Sequence, residues 1–346
     1  MHMNLARRGA LVLAAAGIAL GTAAYASSAS ATTATARPHA VTQAMAPLKV
    51  ALIAPSATND LAFTQSMYSA LESLKSSEHL TISVSANEYV VSDAASIIRE
   101  YASKGYNLIV AHGSQYGSTI EQLAPQFPKV SFAWGTAGAT FGLKNVFAYE
   151  ASSNEGGYVQ GYMAALLSKS KVLGICGPIA TGDAKLYVDG FAAGAAAAAK
   201  ASKFKVTAHE VYTGSFSDDS LMATCAKTFV SGDKADVLTG SSQSVVGAIG
   251  VARSDHLAWF GTQWNQSTLA PSNVVSSQVY NWDPILRQMF TAIRGGTLGD
   301  ATYVIGLGNG GEKIQFNSGY KLSPAIKAQG EKLITEITNG DITVPQ

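Results

Sequence analysis

A chain of 346 residues exceeds the size at which a single hydrophobic core keeps growing, so two lobes are the default expectation. Apolar residues make up 47% and charged residues 14%, which supplies two cores and excludes a disordered chain. Formal net charge is +1 with Lys and Arg scattered, so there is no electrostatic footprint for nucleic acid or an anionic membrane surface.

The chain opens as an export signal. "MHMNLARR" is a positive n-region, "GALVLAAAGIALGTAA" an apolar h-region, and "AYA" or "ASA" a small-residue cleavage site. Residues 1–31 are therefore expected to be a cleaved signal peptide, the apolar run being shorter than the roughly 20 residues of a membrane span. Arg7-Arg8 leaves Sec or twin-arginine export open, and with no cysteine near the cleavage site a lipid anchor is not expected. The stretch from about Ser27 to Ala46 is rich in Ala, Ser and Thr, and residues 32–47 read as a disordered leader. The mature protein is expected to be exported, periplasmic or extracellular.

From Leu48 short β-branched runs alternate with helical patterns. "KVALIA" precedes a helix from about Asp60 to Ser76, whose Leu61, Met67, Tyr68, Leu71 and Leu74 share a face. "LTISVSA", "DAASIIREYASKG", "NLIVAHG", "STIEQLAPQF", "KVSFAWG" and "NVFAYEA" continue this half, read as strands and helices in turn. The second half runs from the helix "NEGGYVQGYMAALLSKS" through "KVLGICG", "AKLYVDGFAAGAAAAAK", "KVTAHEVY", "SLMATCAKTFVSG", "ADVLTGS" and "SVVGAIGVARS" to "LAWFGT". The small residues of "FAAGAAAAAK" suit a helix packed closely on a sheet, and Asp218 or Asp219 reads as a helix cap. Then come the strand "NVVSSQVY", a helix with Pro284 in its first turn, a hairpin-like "EKIQFNSGYKLS" and a terminal helix. Strands that are apolar throughout and separated by helices mean parallel sheets covered on both faces. The fold expected is α/β, two doubly wound parallel-sheet lobes, with residues 48–150 and 265–296 in an N-terminal lobe and 151–264 and 297–346 in a C-terminal lobe. Cys176 and Cys225 could form one disulfide or remain two buried thiols.

Ligands of open parallel sheets bind beyond the carboxyl ends of the strands, where helix N-termini and variable loops meet. Those ends carry Ser56, Asn59, Asp60, Phe63 and Gln65; His112, Gly113, Ser114 and Gln115; and Trp134 with Gly135. In the other half they carry Gly240, Ser241 and Ser242; Thr262, Gln263 and Trp264; and Tyr280, Asn281, Trp282 and Asp283. Aromatic rings and neutral hydrogen-bonding groups in that mixture suit a flat, largely uncharged ligand fixed by a few amides and one carboxylate. Asn59 or Asp60 could equally cap the helix, and Phe63 or Trp134 could equally be core. The ligand-site candidates are Asn59, Asp60, Phe63, Gln65, His112, Ser114, Trp134, Gly240, Ser241, Trp264, Tyr280 and Trp282.

Catalytic patterns are missing: there is no G-x-S-x-G, H-E-x-x-H or G-x-x-x-x-G-K-[ST]. "GLGNGG" matches G-x-G-x-x-G, but the strand-like "EKIQF" follows it rather than a helix. His112 and Ser114, two residues apart in one loop, lack the orienting acid a nucleophile needs. An enzyme, a metal site and a cofactor are therefore not expected.

The sequence resembles the basic membrane protein (Bmp) family of ABC transporter substrate-binding proteins, which includes bacterial purine nucleoside receptors. "TNDLAFTQSMYSALESL", "NVFAYEASSNEGGYVQGYMAALLSKSKVLGICG", "DGFAAGAAAAA", "VYTGSFSDDS" and "GEKIQFNSGYKLSPAIKAQGEKLITEITNGDITVP" carry the likeness over about residues 48–345. The resemblance implies a periplasmic binding protein type 1 fold with three crossovers and a ligand clamped between lobes. It also implies that Asn59 and Asp60 hydrogen-bond a purine and Phe63 stacks on it. Where the family's nucleoside receptors carry acids and a lysine for ribose, this chain has Thr262, Trp264 and Tyr280, so a nucleobase or another flat heterocycle is also implied. The function expected is the extracytoplasmic receptor of an ABC importer, working as a monomer with an ABC permease as partner. A secreted nucleoside hydrolase using Asp60 or His112, or a sensor for a membrane partner, are the alternatives.

Overall fold

The computed structural model describes residues 45–346, so the expected signal peptide and nearly all of the leader lie outside the described residues. The first lobe is built from β1 (Leu48–Ile53), α1 (Phe63–Leu74), β2 (Leu80–Ser85), α2 (Val91–Ser103), β3 (Leu108–His112), α3 (Gly117–Leu123), β4 (Ser131–Gly135) and β5 (Val146–Ala151). The second holds α4 (Ser153–Leu167), β6 (Val172–Gly177), α5 (Gly182–Ser202), β7 (Thr207–Tyr212), α6 (Asp219–Thr228), β8 (Val237–Gly240), α7 (Val245–Ser254), β9 (Ala258–Gly261) and β10 (Val274–Tyr280). Then follow α8 (Asp283–Arg294), β11 (Ala301–Ile305), β12 (Glu312–Phe316) and α9 (Pro324–Thr338).

The strands form two six-stranded sheets, ordered β11-β5-β4-β3-β1-β2 and β12-β10-β9-β8-β6-β7. The first is parallel throughout, and the second is parallel except that β12 runs antiparallel to β10. Every residue of β3 and β4 is buried, because helices cover both faces and leave no solvated side for polar alternation. On one face of the first sheet Met67, Leu71 and Leu74 of α1 pack with Leu286, Met289 and Phe290 of α8. On the other, Ile98 of α2 and Ile120 of α3 pack on Ile109 and Phe132.

In the second lobe Ala195 and Ala198 of α5 pack in the core with Leu173 and Ile175 of the sheet, while its glycines let it approach α4 closely. A Cβ on Gly161 would lie 1.9 Å from the Phe191 carbonyl oxygen and one on Gly194 2.0 Å from that of Tyr158. Cys176 and Cys225 form a disulfide that pins α6 to β6, resolving the alternative the sequence left open.

Four features of the expected layout are corrected. Strand β10 joins the second sheet beside β9, and β11 joins the first beside β5, so residues 274–280 and 301–305 exchange lobes relative to the expected division. Alternation of strand and helix does not encode sheet membership; pairing with a neighbouring edge does. No helix separates β4 from β5, and Glu312–Phe316 is an edge strand on β10 rather than half of a hairpin. Helix α1 begins at Phe63, with Leu61 outside it at φ 53°. Among the described residues the chain passes between lobes three times, at 151–153, 280–283 and 305–312.

Candidate functional site

The turn after β1 shows why α1 starts where it does. Asp60 accepts from the backbone N–H groups of Ala62 (2.9 Å), Thr64 (3.1 Å) and Gln65 (3.1 Å) and from the Ser56 hydroxyl (2.6 Å). These donors would otherwise be orphaned at the helix N-terminus. Burial pushes the Asp60 carboxyl up while the four donors pull it down. The Gln65 amide oxygen accepts from Leu61 N–H at 2.9 Å, closing the turn further. Asp60 and the amide oxygen of Gln65 are thus spent on the protein, and Asn59 is exposed outside the cleft lining.

Phe63, which this turn presents, lines the space between the lobes. Its ring stacks on His112 at 3.7 Å with planes 9° apart. Nε2 of His112 faces the Phe63 carbonyl oxygen (3.1 Å), so it must carry the proton, and Nδ1 accepts from the Tyr149 hydroxyl (2.8 Å). Burial lowers the His112 pKa to about 3, so the imidazole is neutral. His112 therefore backs the Phe63 ring, and neither nitrogen is free to act as a base.

The cleft is lined from the first lobe by Pro55, Phe63, Tyr89, Ser114, Gln115 and Thr136, and from the second by Thr181, Asp183, Phe216, Gln243 and Gln263. Its free volume is about 20 Å³, room for about one water, so a larger ligand is admitted only when the lobes part. Asp183, in the first turn of α5, joins the two sides. It accepts from the Thr136 hydroxyl (2.7 Å) across the cleft, and from the Tyr280 hydroxyl (2.9 Å) and the Gln263 amide (3.1 Å) on its own side. Burial pushes its carboxyl up against the pull of these donors. Gly182 at φ 51° permits this approach, since a Cβ there would sit 2.9 Å from the Thr136 hydroxyl oxygen. Glu150 is pushed up to about 8, by burial first and the Asp183 charge second.

Of the twelve candidates, Phe63 and Ser114 line this cleft. Trp134 and Trp282 are placed elsewhere, which corrects the expectation of indole faces toward a ligand. Trp134 stacks on Phe141 at 4.9 Å and fills the space left by Gly117. Trp282 is fully buried, its Nε1–H donating to the Ser66 hydroxyl at 2.8 Å. Trp264 lines a separate shallow depression with Ser69, Ser73 and Asn281. Tyr280 contributes through its hydroxyl to Asp183, not as a stacking face, while Gly240 lies against the Cys176 carbonyl. Ser241 is fully buried, and its hydroxyl has no protein partner. Asp183 was missed, although "KVLGICG" is a strand whose carboxyl end leads to it; Gln115 and Gln263 stood at strand ends without being selected. Among the described residues no cluster of three or more His, Cys, Asp or Glu could hold a metal.

Two α/β lobes of largely parallel sheet, joined by repeated chain passages with an aromatic and polar cleft between them, are the periplasmic binding protein type 1 fold. Residues 48–346 match the Bmp family model, described as ABC transporter substrate-binding protein PnrA-like, and the chain belongs to that family. Members are extracytoplasmic receptors that bind a small molecule and serve an ABC permease. The chain is 26% identical to the transcriptional activator protein med of Bacillus subtilis, over 75% of this chain and 80% of that protein. It is 28% identical to a purine-binding protein of Brucella abortus, over 59% of this chain and 56% of that protein. A solved ABC transporter solute-binding protein from Conexibacter woesei superposes with TM-score 0.70 at 24% identity, over 86% of this chain and 98% of that one.

Proposed function

We propose that this chain is the receptor of an ABC importer that clamps a purine nucleoside, a nucleobase or a similar flat heterocycle between its lobes. The observation that carries the reading is the cleft lining: Phe63 on one lobe and Phe216 on the other, with Tyr89 beside them and Ser114, Gln115, Gln243 and Gln263 as hydrogen-bonding groups. Ring faces supply stacking worth about 0.5–1.5 kcal/mol per pair beyond burial, and the amides orient the ligand. The printed name of the Brucella abortus relative, a purine-binding protein, supports the same class. In this reading the protein is exported by a cleaved signal peptide without a lipid anchor and acts as a monomer, and Asp60 and Gln65 shape the turn that presents Phe63, with Asn59 exposed beside it.

Native mass spectrometry of the purified protein, followed by tryptophan-fluorescence titration with adenine, guanine, adenosine and inosine, tests it. Saturable binding of one equivalent supports the proposal. Release of free base from nucleosides beyond one equivalent would replace it with the hydrolase reading, for which the doubly bonded His112 offers no free base. The relative named as a transcriptional activator favours a sensing role as the second reading. Loss of ligand uptake on deleting the gene separates transport from sensing.

A further inference from the structure

We propose that Asp183 determines which ligands the cleft accepts, by turning the Gln263 carbonyl oxygen toward the ligand and by excluding anions. This rests on the cleft being the ligand site. The Gln263 side-chain NH₂ donates to Asp183 Oδ2 at 3.1 Å, beside the Tyr280 hydroxyl on the same oxygen. The amide oxygen then points away from Asp183, on a residue that lines the cleft and is 3% exposed. That oxygen is buried and has no partner in the protein. A buried acceptor left unmade is costly, so the ligand supplies an N–H or O–H at this point.

Thr136 and Tyr280 hold the carboxylate from the other directions, so it cannot swing away from Gln263. Among the residues lining the cleft Asp183 is the one charged side chain, and no Lys, Arg or His stands there to neutralise a phosphate or carboxylate. An anion brought beside this carboxyl would be desolvated with no cation in the lining to compensate it. The accepted ligand is uncharged or cationic and presents hydrogen-bond donors.

Isothermal titration with matched pairs tests this: adenosine against adenosine 5′-monophosphate, nicotinamide against nicotinate, and tryptamine against indole-3-acetate. Wild type should bind the member without the anionic group at least about tenfold more tightly. Asp183→Asn should narrow that ratio to about threefold or less. Gln263→Met should weaken the uncharged member about tenfold while leaving the ratio in place, because Asp183 remains. Equal affinity of wild type for both members of a bound pair overturns the proposal. So does an Asp183→Asn protein that loses affinity for both members equally, the signature of a purely structural role. If Asp183→Asn does not fold, the wild-type ratios and Gln263→Met decide. Discrimination in the nicotinamide or tryptamine pair without any purine binding removes the purine reading and keeps this one. Purine binding that ignores the phosphate does the reverse, and a panel in which nothing binds overturns both.

Discussion

Replacing Asp60 with alanine should destabilise the first lobe before it touches a ligand. The carboxylate holds three backbone N–H groups at 2.9–3.1 Å and the Ser56 hydroxyl at 2.6 Å, all at the start of α1. Loss of a helix N-cap typically costs about 0.5–2 kcal/mol, and hydrogen bonds to a charged acceptor lie above the neutral average. Asp60 is partly exposed, so water can take over some of the freed donors. A net loss of about 2 kcal/mol is the resulting figure, equivalent to a fall in Tm of roughly 4–8 °C for a domain of this size. Asp60→Asn keeps one acceptor oxygen without the charge and should lose about half as much. Differential scanning calorimetry of the three proteins without ligand reads this directly. The reasoning is refuted if Asp60→Ala melts within about 1 °C of wild type yet binds ligand tenfold more weakly. That outcome would mean the carboxylate works on the ligand and not on the helix.

The disulfide joins residues 49 apart in sequence, for which chain entropy predicts about 4 kcal/mol; Cys176→Ser should lower the denaturation midpoint markedly, and an unchanged midpoint would show the bridge to be dispensable. Glu150 has its pKa raised from 4.5 to about 8 by burial and the Asp183 charge, so it takes up a proton on folding and its contribution weakens the fold as pH rises across that window. Glu150→Gln should therefore raise Tm more at pH 8 than at pH 5, and an equal gain at both would contradict the assignment. Thr136→Val removes the hydrogen bond that crosses the cleft to Asp183. At about 1 kcal/mol this should shift the open-to-closed ratio roughly fivefold, seen as a larger radius of gyration in small-angle scattering of the ligand-free protein.

The hydrophobic pattern read along the chain placed nearly every strand and helix, because covered parallel strands are apolar at each position and amphipathic helices repeat near 3.6 residues. Asp218 was legible as a cap, and it accepts from the Ser220 and Leu221 N–H groups. The sequence order of β10 and β11 said nothing about which sheet would take them. Trp134 and Trp282 stand at strand ends, where an exposed ring and a buried one look alike in sequence; the cavities facing Gly117 and Ser66 settled their direction. Asp183 was illegible for a related reason, since its partners Thr136, Gln263 and Tyr280 lie 47, 80 and 97 residues away.

What the sequence determined by itself is therefore the α/β character of both lobes and the family motifs, all of which depend on spacings local to one element. The lobe boundaries, the disulfide and the choice of side chains facing the cleft were decided by tertiary structure. Burial and hydrogen bonding between distant segments fix a side chain's direction, and that information exists only once the sheets have closed around it.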